Sequence, residues 1–466
     1  MKDSTIKNKE NRVTEAETDF FVGDKARRQA CAFLSNYTSD VSGVCSALYE
    51  LGGMVVMHDP SGCNSTYNTH DEPRWYDKDS LIFISGLSQI DAILGNDDKL
   101  IDDIVRAARD LHPAFIALVR TPVPMMTGTD FDAIARMIEL ETGIPVWYFP
   151  TSGMNSYVRG AGMAMEKVAR CLADQEPAAG GADQGLSDTA GLIGDRPVRV
   201  NVLGSTPLDF SINETRASLL AWLGRQGFIL QSMFAMGDGD AQDLRCQIRS
   251  AGLADVSLVV SSVGLPAARA LKERFGIPYV IGFPCASFGL VVDQALRKAA
   301  RTGEDQKDLF ITGFNIQEEE TSDGNEVKGH EERTEDKTSP GRQSGKENYI
   351  IGEPVIALSL ASAAWTEDRE SYQVICPLEL DEDLLGAGCL KRSSEDDLIR
   401  TLQQGQNVLA DPIYKKICPP GTAFTPFPHE AYSGRIYRTQ MPDLMEGIRG
   451  FSRNPPGDPA RDRKQL

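Results

Sequence analysis

Between Ser42 and Asp174 the chain alternates short apolar runs with longer stretches of helical period. The runs GMVVM, LIFIS, AFIALV and PVWYF are each long enough for one strand, and segments such as DKLIDDIVRAARDL and DFDAIARMIEL place apolar residues three and four apart. This rhythm predicts a parallel sheet covered by helices. It returns from Arg196 to Gly303, with strands VRVNVL, FILQSM, VSLVVS and PYVIG between helices such as NETRASLLAWLGRQ. A smaller third unit, with YIIG, YQVIC and NVLA as strands, begins at Tyr349.

The pattern therefore predicts an α/β protein of three Rossmann-like domains, each a parallel sheet flanked by helices. Its parts are a polar N-terminal arm over 1–30, a first α/β domain over 31–174, a linker over 175–195 and a second α/β domain over 196–303. An insertion over 317–348 is nearly devoid of apolar side chains and is expected to be disordered, because it cannot bury enough surface to offset the entropy of ordering. A third α/β domain over 349–437 and a C-terminal tail over 438–466 complete the chain. Ligands of open α/β sheets collect where loops converge at the carboxyl ends of strands, so the expected pocket lies between the three units.

At 466 residues the chain is long enough for about three cores. A net charge of -19 disfavours nucleic acid and anionic membrane surfaces as partners. No apolar run reaches membrane-spanning length and the start MKDSTIKNKENR lacks a secretory apolar core. With nine cysteines, these features lead to the expectation of a cytoplasmic protein whose thiols stay reduced.

Two of those cysteines stand beside glycines in one short segment, Ser42-Gly43-Val44-Cys45 and Ser61-Gly62-Cys63. Cys45 is expected at the amino end of a helix, where unpaired N–H groups favour a thiolate. Gly62 leaves room beside Cys63 for backbone amides to approach an anion. Two thiolates are half of what a closed iron-sulfur site needs. Buried packing is the alternative for such a pair. Of the other cysteines only Cys285, in FPCASFG, merits testing as a site residue.

These residues and their neighbours resemble nitrogenase component 1 and its relatives: the α and β subunits of the molybdenum-iron protein, the cofactor-assembly scaffolds and the tetrapyrrole reductases. The loop His58-Asp59-Pro60-Ser61-Gly62-Cys63 is similar to the family's His-Gly-Pro/Ser-x-Gly-Cys. The segments GLSQIDAILGNDDKLIDDI, GIPYVIGFP, IIGEPVIALSLA, ADPIYKKI and PHEAYSG follow in the family's order. The resemblance implies that Cys45 and Cys63 are metal ligands and that His58 orients their loop or its cluster. It also implies that His429, in PFPHEAYSGRIY, faces a cofactor or substrate as the α subunit's histidine does. Asp59 stands where the family usually has glycine and is an outside candidate for a carboxylate ligand, with loop capping as its alternative role.

The departures are specific. Arg120-Thr121-Pro122 stands where the eight-iron cluster's third cysteine precedes a proline. Val259-Val260-Ser261-Ser262-Val263 stands where the α subunit's interior thiol would be. Neither stretch has a cysteine, so the full pair of nitrogenase clusters is not expected. What the resemblance leaves is a half-site, completed by the same pair from a homo- or hetero-oligomeric partner around one shared 4Fe-4S cluster. The implied activity is a reductase fed by a nitrogenase-reductase-like ATPase iron protein, acting on a small-molecule substrate. The alternatives are a non-catalytic scaffold for a metal cluster or tetrapyrrole, and a ligand-binding fold with structural cysteines. No catalytic residue is identified. Gly341-Arg342-Gln343-Ser344-Gly345-Lys346 is one residue short of a P-loop, and Gly160-Ala161-Gly162 stops short of a dinucleotide fingerprint.

Overall fold

The apolar runs become three parallel sheets in the computed structural model, which describes residues 31–34, 37–62, 72–175, 192–193, 196–212, 214–237, 239–313 and 347–453. In the first sheet β1 (Met54–His58), β2 (Ile82–Ile84), β3 (Ile116–Arg120) and β4 (Val146–Phe149) stand in the order β2-β1-β3-β4. All five positions of β1 are buried, as in a strand covered on both faces. Its alternation divides two cores. Met54 and Val56 pack with Leu100, Ile104 and Ile138, while Val55 and Met57 join the main core.

The helices of this unit are α1 (Asp40–Leu48), α2 (Gln89–Leu94), α3 (Asp97–Leu111), α4 (Pro122–Thr127), α5 (Phe131–Thr142) and α6 (Tyr157–Cys171). α3 buries Leu100, Ile101, Ile104, Val105 and Ala108, the stripe its period predicts. α5 starts on Asp130, whose side chain accepts the Ala133 N–H, and stops at Gly143 in the left-handed region.

After a two-residue antiparallel ribbon of β5 (Leu192–Ile193) and β6 (Arg196–Pro197), the second sheet repeats the first. Its strands β7 (Arg199–Leu203), β8 (Ile229–Met233), β9 (Val256–Val259) and β10 (Tyr279–Ile281) are ordered β10-β9-β7-β8, the same arrangement read from the other edge. Around them lie α7 (Pro207–Phe210), α8 (Thr215–Arg225), α9 (Ala241–Arg249), α10 (Leu265–Phe275) and α11 (Phe288–Thr302).

The third sheet has five strands: β11 (Glu347–Ile351), β12 (Gln373–Cys376), β13 (Cys389–Lys391), β14 (Gly405–Ala410) and β15 (Ala423–Pro426). Their order is β13-β12-β11-β14-β15, and α12 (Pro354–Asp368) follows β11. The two edge strands β13 and β15 are absent from the sequence reading. Each has too few apolar residues to stand out and is recruited by the ladder of its neighbour.

Two further expectations change. Glu347 and Asn348, placed in the insertion, begin β11 and pair with β14. The segment read as a tail continues through short helices to Arg453 and buries Met441, Leu444 and Phe451 against the body. At the other end, the backbone N–H groups of Ala32, Phe33 and Leu34 all donate to the Glu395 carboxylate, so the chain entering the first unit is strapped to the third. The arm over 1–30, most of the linker, residues 317–346 of the insertion and Cys63 lie outside the described residues. No described helix is long and apolar enough to cross a membrane.

Candidate functional site

Each sheet reverses direction next to its first strand, and the loops that leave the strand ends at those three points carry the candidate residues. In the first sheet the point lies between β1 and β3, at His58-Asp59 and Thr121. In the second it lies between β7 and β9, at Asp209 and Ser261. In the third it lies between β11 and β14, at Glu353 and Asp411.

Cys45 is not at the amino end of its helix. It is the sixth residue of the nine in α1 and is fully buried. Gly43 lies inside the same helix, and its purpose is contact. A Cβ there would strike the Tyr157 backbone, and one at Gly160 would strike the Asp40 carbonyl, so α1 and α6 meet backbone to backbone. Burial, with the Glu72 charge nearby, pushes the Cys45 thiol up instead of stabilising its thiolate. Bound iron would reverse this, since coordination deprotonates a thiol outright.

Around Cys45 the frame is rigid. The Asp40 carboxylate accepts the Ser152 and Gly153 N–H groups at 3.0 and 2.7 Å and the Asn155 amide at 3.0 Å, tying the loop after β4 to the start of α1. Arg74, just past the cysteine loop, is buried among Glu72 at 2.6 Å, Glu50 at 2.9 Å and the Ser46 carbonyl at 2.7 Å, and lies over the Tyr49 ring. It anchors the returning loop to α1. Sequence reasoning missed it, although Glu72-Pro73-Arg74 directly follows the loop.

His58 ends β1. Its Nδ1 meets the Ser85 hydroxyl at 2.8 Å, and burial pulls the imidazole down to about 4, so it is neutral at ordinary pH. Ser85 also accepts the Asp59 N–H at 3.2 Å, and the Asp59 carbonyl accepts the Leu87 N–H at 2.9 Å. His58 and Asp59 thus fasten the loop to β2 and to the entry of α2. Asp59 is itself buried, its carboxyl raised by burial. Among the described residues no atom beyond its chain neighbours lies within 4 Å of a Cβ built at Gly62. Among the described residues no three His, Cys, Asp or Glu side chains are grouped to hold a metal ion. Cys45 therefore has no companion ligands among the described residues that would complete a metal site.

The other two reversal points face each other across a buried junction. Asp209 accepts Tyr157 OH at 2.5 Å on Oδ1, and Ser261 and Thr206 hydroxyls at 2.6 and 3.3 Å on Oδ2. His429 Nε2 lies 3.3 Å from the same Oδ1 without completing a well-angled hydrogen bond. Its Nδ1 accepts the Ala431 N–H at 3.3 Å, and the His429 backbone N–H donates to the Asp411 carboxylate at 2.8 Å. Glu353 accepts the N–H groups of Ser262 and Ile356 at 2.7 and 2.8 Å. Burial, then the Asp209 charge, pushes its carboxyl up to about 7. Ser211, two residues after Asp209, has φ 54 and ψ -168, a backbone region that suits glycine. Asp209, Glu353 and Tyr157 escaped the sequence reading, and the Glu353-Pro354 start of α12 was the available signal. Cys285 is buried in the core, its thiol raised by burial.

A profile of the nitrogenase component 1 type oxidoreductases matches residues 41–364. The chain belongs to that family. It is 28% identical over 264 residues to the nitrogenase iron-molybdenum cofactor biosynthesis protein NifE of Klebsiella pneumoniae, covering 54% of this chain and 52% of that one. To the nitrogenase molybdenum-iron protein beta chain of Methanothermobacter thermautotrophicus it is 22% identical over 275 residues, with 54% and 55% covered. The chain thus spans about half the length of the curated relatives it matches. A solved nitrogenase structure, Cp1 at pH 5, aligns over 94% of this chain and 91% of its own with TM-score 0.55 at 16% identity, a likeness of fold.

In this member of the family, the two positions read as lacking thiols have visible occupants. Thr121 is fully buried and its hydroxyl donates to the His58 carbonyl at 2.7 Å, closing the β1–β3 reversal point. Ser261 donates to Asp209. Both serve as hydrogen-bond donors to the protein itself.

Proposed function

We propose that this chain is an electron-relaying subunit of a nitrogenase-like oxidoreductase. Cys45 and Cys63 hold half of a 4Fe-4S cluster whose other ligands come from a same-fold chain, and an ATP-dependent iron protein supplies electrons for reduction of a small molecule. The reading is supported by the stem of the cysteine loop, His58 to Gly62, which leaves the reversal point of the first sheet, the place where this architecture collects ligands, and is bonded to the entry of a helix with an exposed apolar face. That face is made by Ile90, Ile93 and Leu94 of α2, each at least 68% exposed, and Met126 of α4 at 82%. α2 buries none of its residues, so the packing of the described residues leaves those side chains unexplained. Since Leu87 at its entry is bonded to Asp59, the face adjoins the loop, which suits docking of the electron-delivering protein.

A cluster bound there supplies one-electron transfer. The protein's own residues do the rest. Gly43 and Gly160 set the position of the Cys45 helix, Arg74 and His58 hold the two ends of the loop, and buried surroundings exclude water from the thiol side. In the test, the full chain is purified anaerobically, alone and with candidate same-fold partners, for iron and sulfide counts and low-temperature EPR. Cys45→Ser and Cys63→Ser are expected each to strip most of the iron and to abolish reduction. A full redox-active cluster in either variant would overturn the proposal.

A second reading, a scaffold that holds a cluster or cofactor and passes it on, is favoured by the match to a cofactor biosynthesis protein. Turnover separates the two. Repeated reduction of a small molecule with the iron protein and ATP supports the first, and a single stoichiometric transfer of cargo to an acceptor supports the second.

A further inference from the structure

The resemblance of the His429 loop to a cofactor-holding histidine can be tested on the imidazole itself. A metal ligand must offer a ring nitrogen with a free lone pair. Nδ1 has its lone pair turned to the Ala431 N–H at 3.3 Å, the contact by which His429 caps the short helix Glu430–Ser433. A neutral ring with an accepting Nδ1 carries its proton on Nε2. The neighbour of that N–H is the Asp209 carboxylate, 3.3 Å away. Reversing the tautomer to free Nε2 would set an Nδ1–H against the Ala431 N–H, donor to donor. The donor set therefore does not fit a metal or cluster at His429.

The surroundings agree. Tyr157 and Tyr432 rings lie 6.2 and 4.4 Å from the imidazole, centroid to centroid, and Tyr157, Asp209, Glu353 and His429 are each no more than 5% exposed. The junction draws on every unit: Tyr157 from the first, Asp209 from the second, and Glu353 and His429 from the third. Next to it, Ser211 in its strained conformation donates to Glu430 at 3.1 Å, and Glu430 also receives Arg438 at 2.9 Å. Three sheets are thus joined by a polar knot at the place where the fold would otherwise seat a ligand.

We infer that His429 is a positioning residue whose Nε2 edge packs beside Asp209, and that the Tyr157–Asp209–His429 contact braces the three sheet units at a junction that takes no metal or cofactor. The iron comparison in the test takes the cysteine loop as the metal site, so that part of this inference rests on the proposed function, while the bracing part does not.

The test uses the full-length chain and two readouts. His429→Asn keeps a helix-capping side-chain oxygen for the Ala431 N–H and removes the group facing Asp209. Asp209→Asn removes the charge, and Tyr157→Phe removes one donor should Asp209→Asn fail to fold. The expected result is that His429→Asn binds the same iron per chain as wild type while Cys45→Ser does not. The melting temperatures of His429→Asn and of Asp209→Asn or Tyr157→Phe should each fall by several degrees, with the double variant falling by less than the sum. Iron loss in His429→Asn comparable with that in Cys45→Ser would overturn the inference, as would strictly additive melting losses. If the wild-type chain binds no iron under any condition, the proposed function fails, and the melting cycle alone still decides whether the brace exists.

Discussion

A glycine at the centre of a helix ordinarily weakens it by about 1 kcal/mol relative to alanine, so Gly43 in α1 and Gly160 in α6 are informative. Each sits where the other helix's backbone passes, and an added methyl would fall inside a carbonyl of the partner. Gly160→Ala is expected to destabilise the chain by about 1–3 kcal/mol despite its better helix propensity, through forced separation of the helices. Urea denaturation with circular dichroism checks this, and an unchanged or raised midpoint would show that the helices have room. Because Cys45 is placed by that contact, the same variant should also hold less iron than wild type. The residue scale also explains why His58 is a poor cation. Its buried ring stays neutral, which leaves it as a fixed hydrogen-bond partner of Ser85.

Among the elements, α2 is the one that its own fold does not account for. Six residues long, capped by Ser88 and ended by Gly95 in the left-handed region, it presents Ile90, Ile93 and Leu94 outward. Replacing Ile93 and Leu94 by Asp should leave stability within about 0.5 kcal/mol, as for other exposed positions without buried contacts. It should also sharply lower electron acceptance from the iron protein while iron content stays at the wild-type level. Loss of folding would mean the face packs against this chain after all, and unchanged electron acceptance would move the docking surface elsewhere. By contrast α12 is buried over its first eleven residues, from Pro354 to Ala364, which matches its place behind the central strand of the third sheet.

For the whole molecule, the three units share one continuous apolar core in addition to the polar junction, and the junction introduces a pH term. Glu353 faces Asp209, Tyr157, Tyr432, Cys376 and Cys389, and its carboxyl is raised from 4.5 to about 7. The folded chain therefore holds this proton more tightly than the unfolded chain. The resulting stabilisation is complete below about 4.5 and is lost as pH rises through about 7. Glu353→Gln should remove that dependence, so the stability difference between wild type and variant should shift against wild type as pH increases across this window. Measuring the difference also cancels the opposing slope from His58, whose lowered pKa favours folding at higher pH. A difference that is flat with pH would place the proton elsewhere in the junction.

Strand runs such as GMVVM and VSLVVS and the stripe of α3 were legible in the sequence because burial on one or both faces demands apolar residues at a fixed period, and that demand is local. The order of the family segments was legible for the same reason, since motifs are contiguous. Cys45's depth in α1, the purpose of Gly43 and the edge strands β13 and β15 were not, because each depends on what a distant segment brings against it. The junction shows the limit most plainly: Tyr157, Asp209, Glu353 and His429 are separated by up to hundreds of positions and carry no shared pattern. The amino-acid order by itself determined three parallel sheets and a cysteine loop at the end of a strand. Only the tertiary structure decided that the apolar side chains of α2, near the first sheet's reversal point, stay exposed among the described residues while the other two reversal points are closed on each other by hydrogen bonds, since contact between remote side chains is a property of packing and not of spacing.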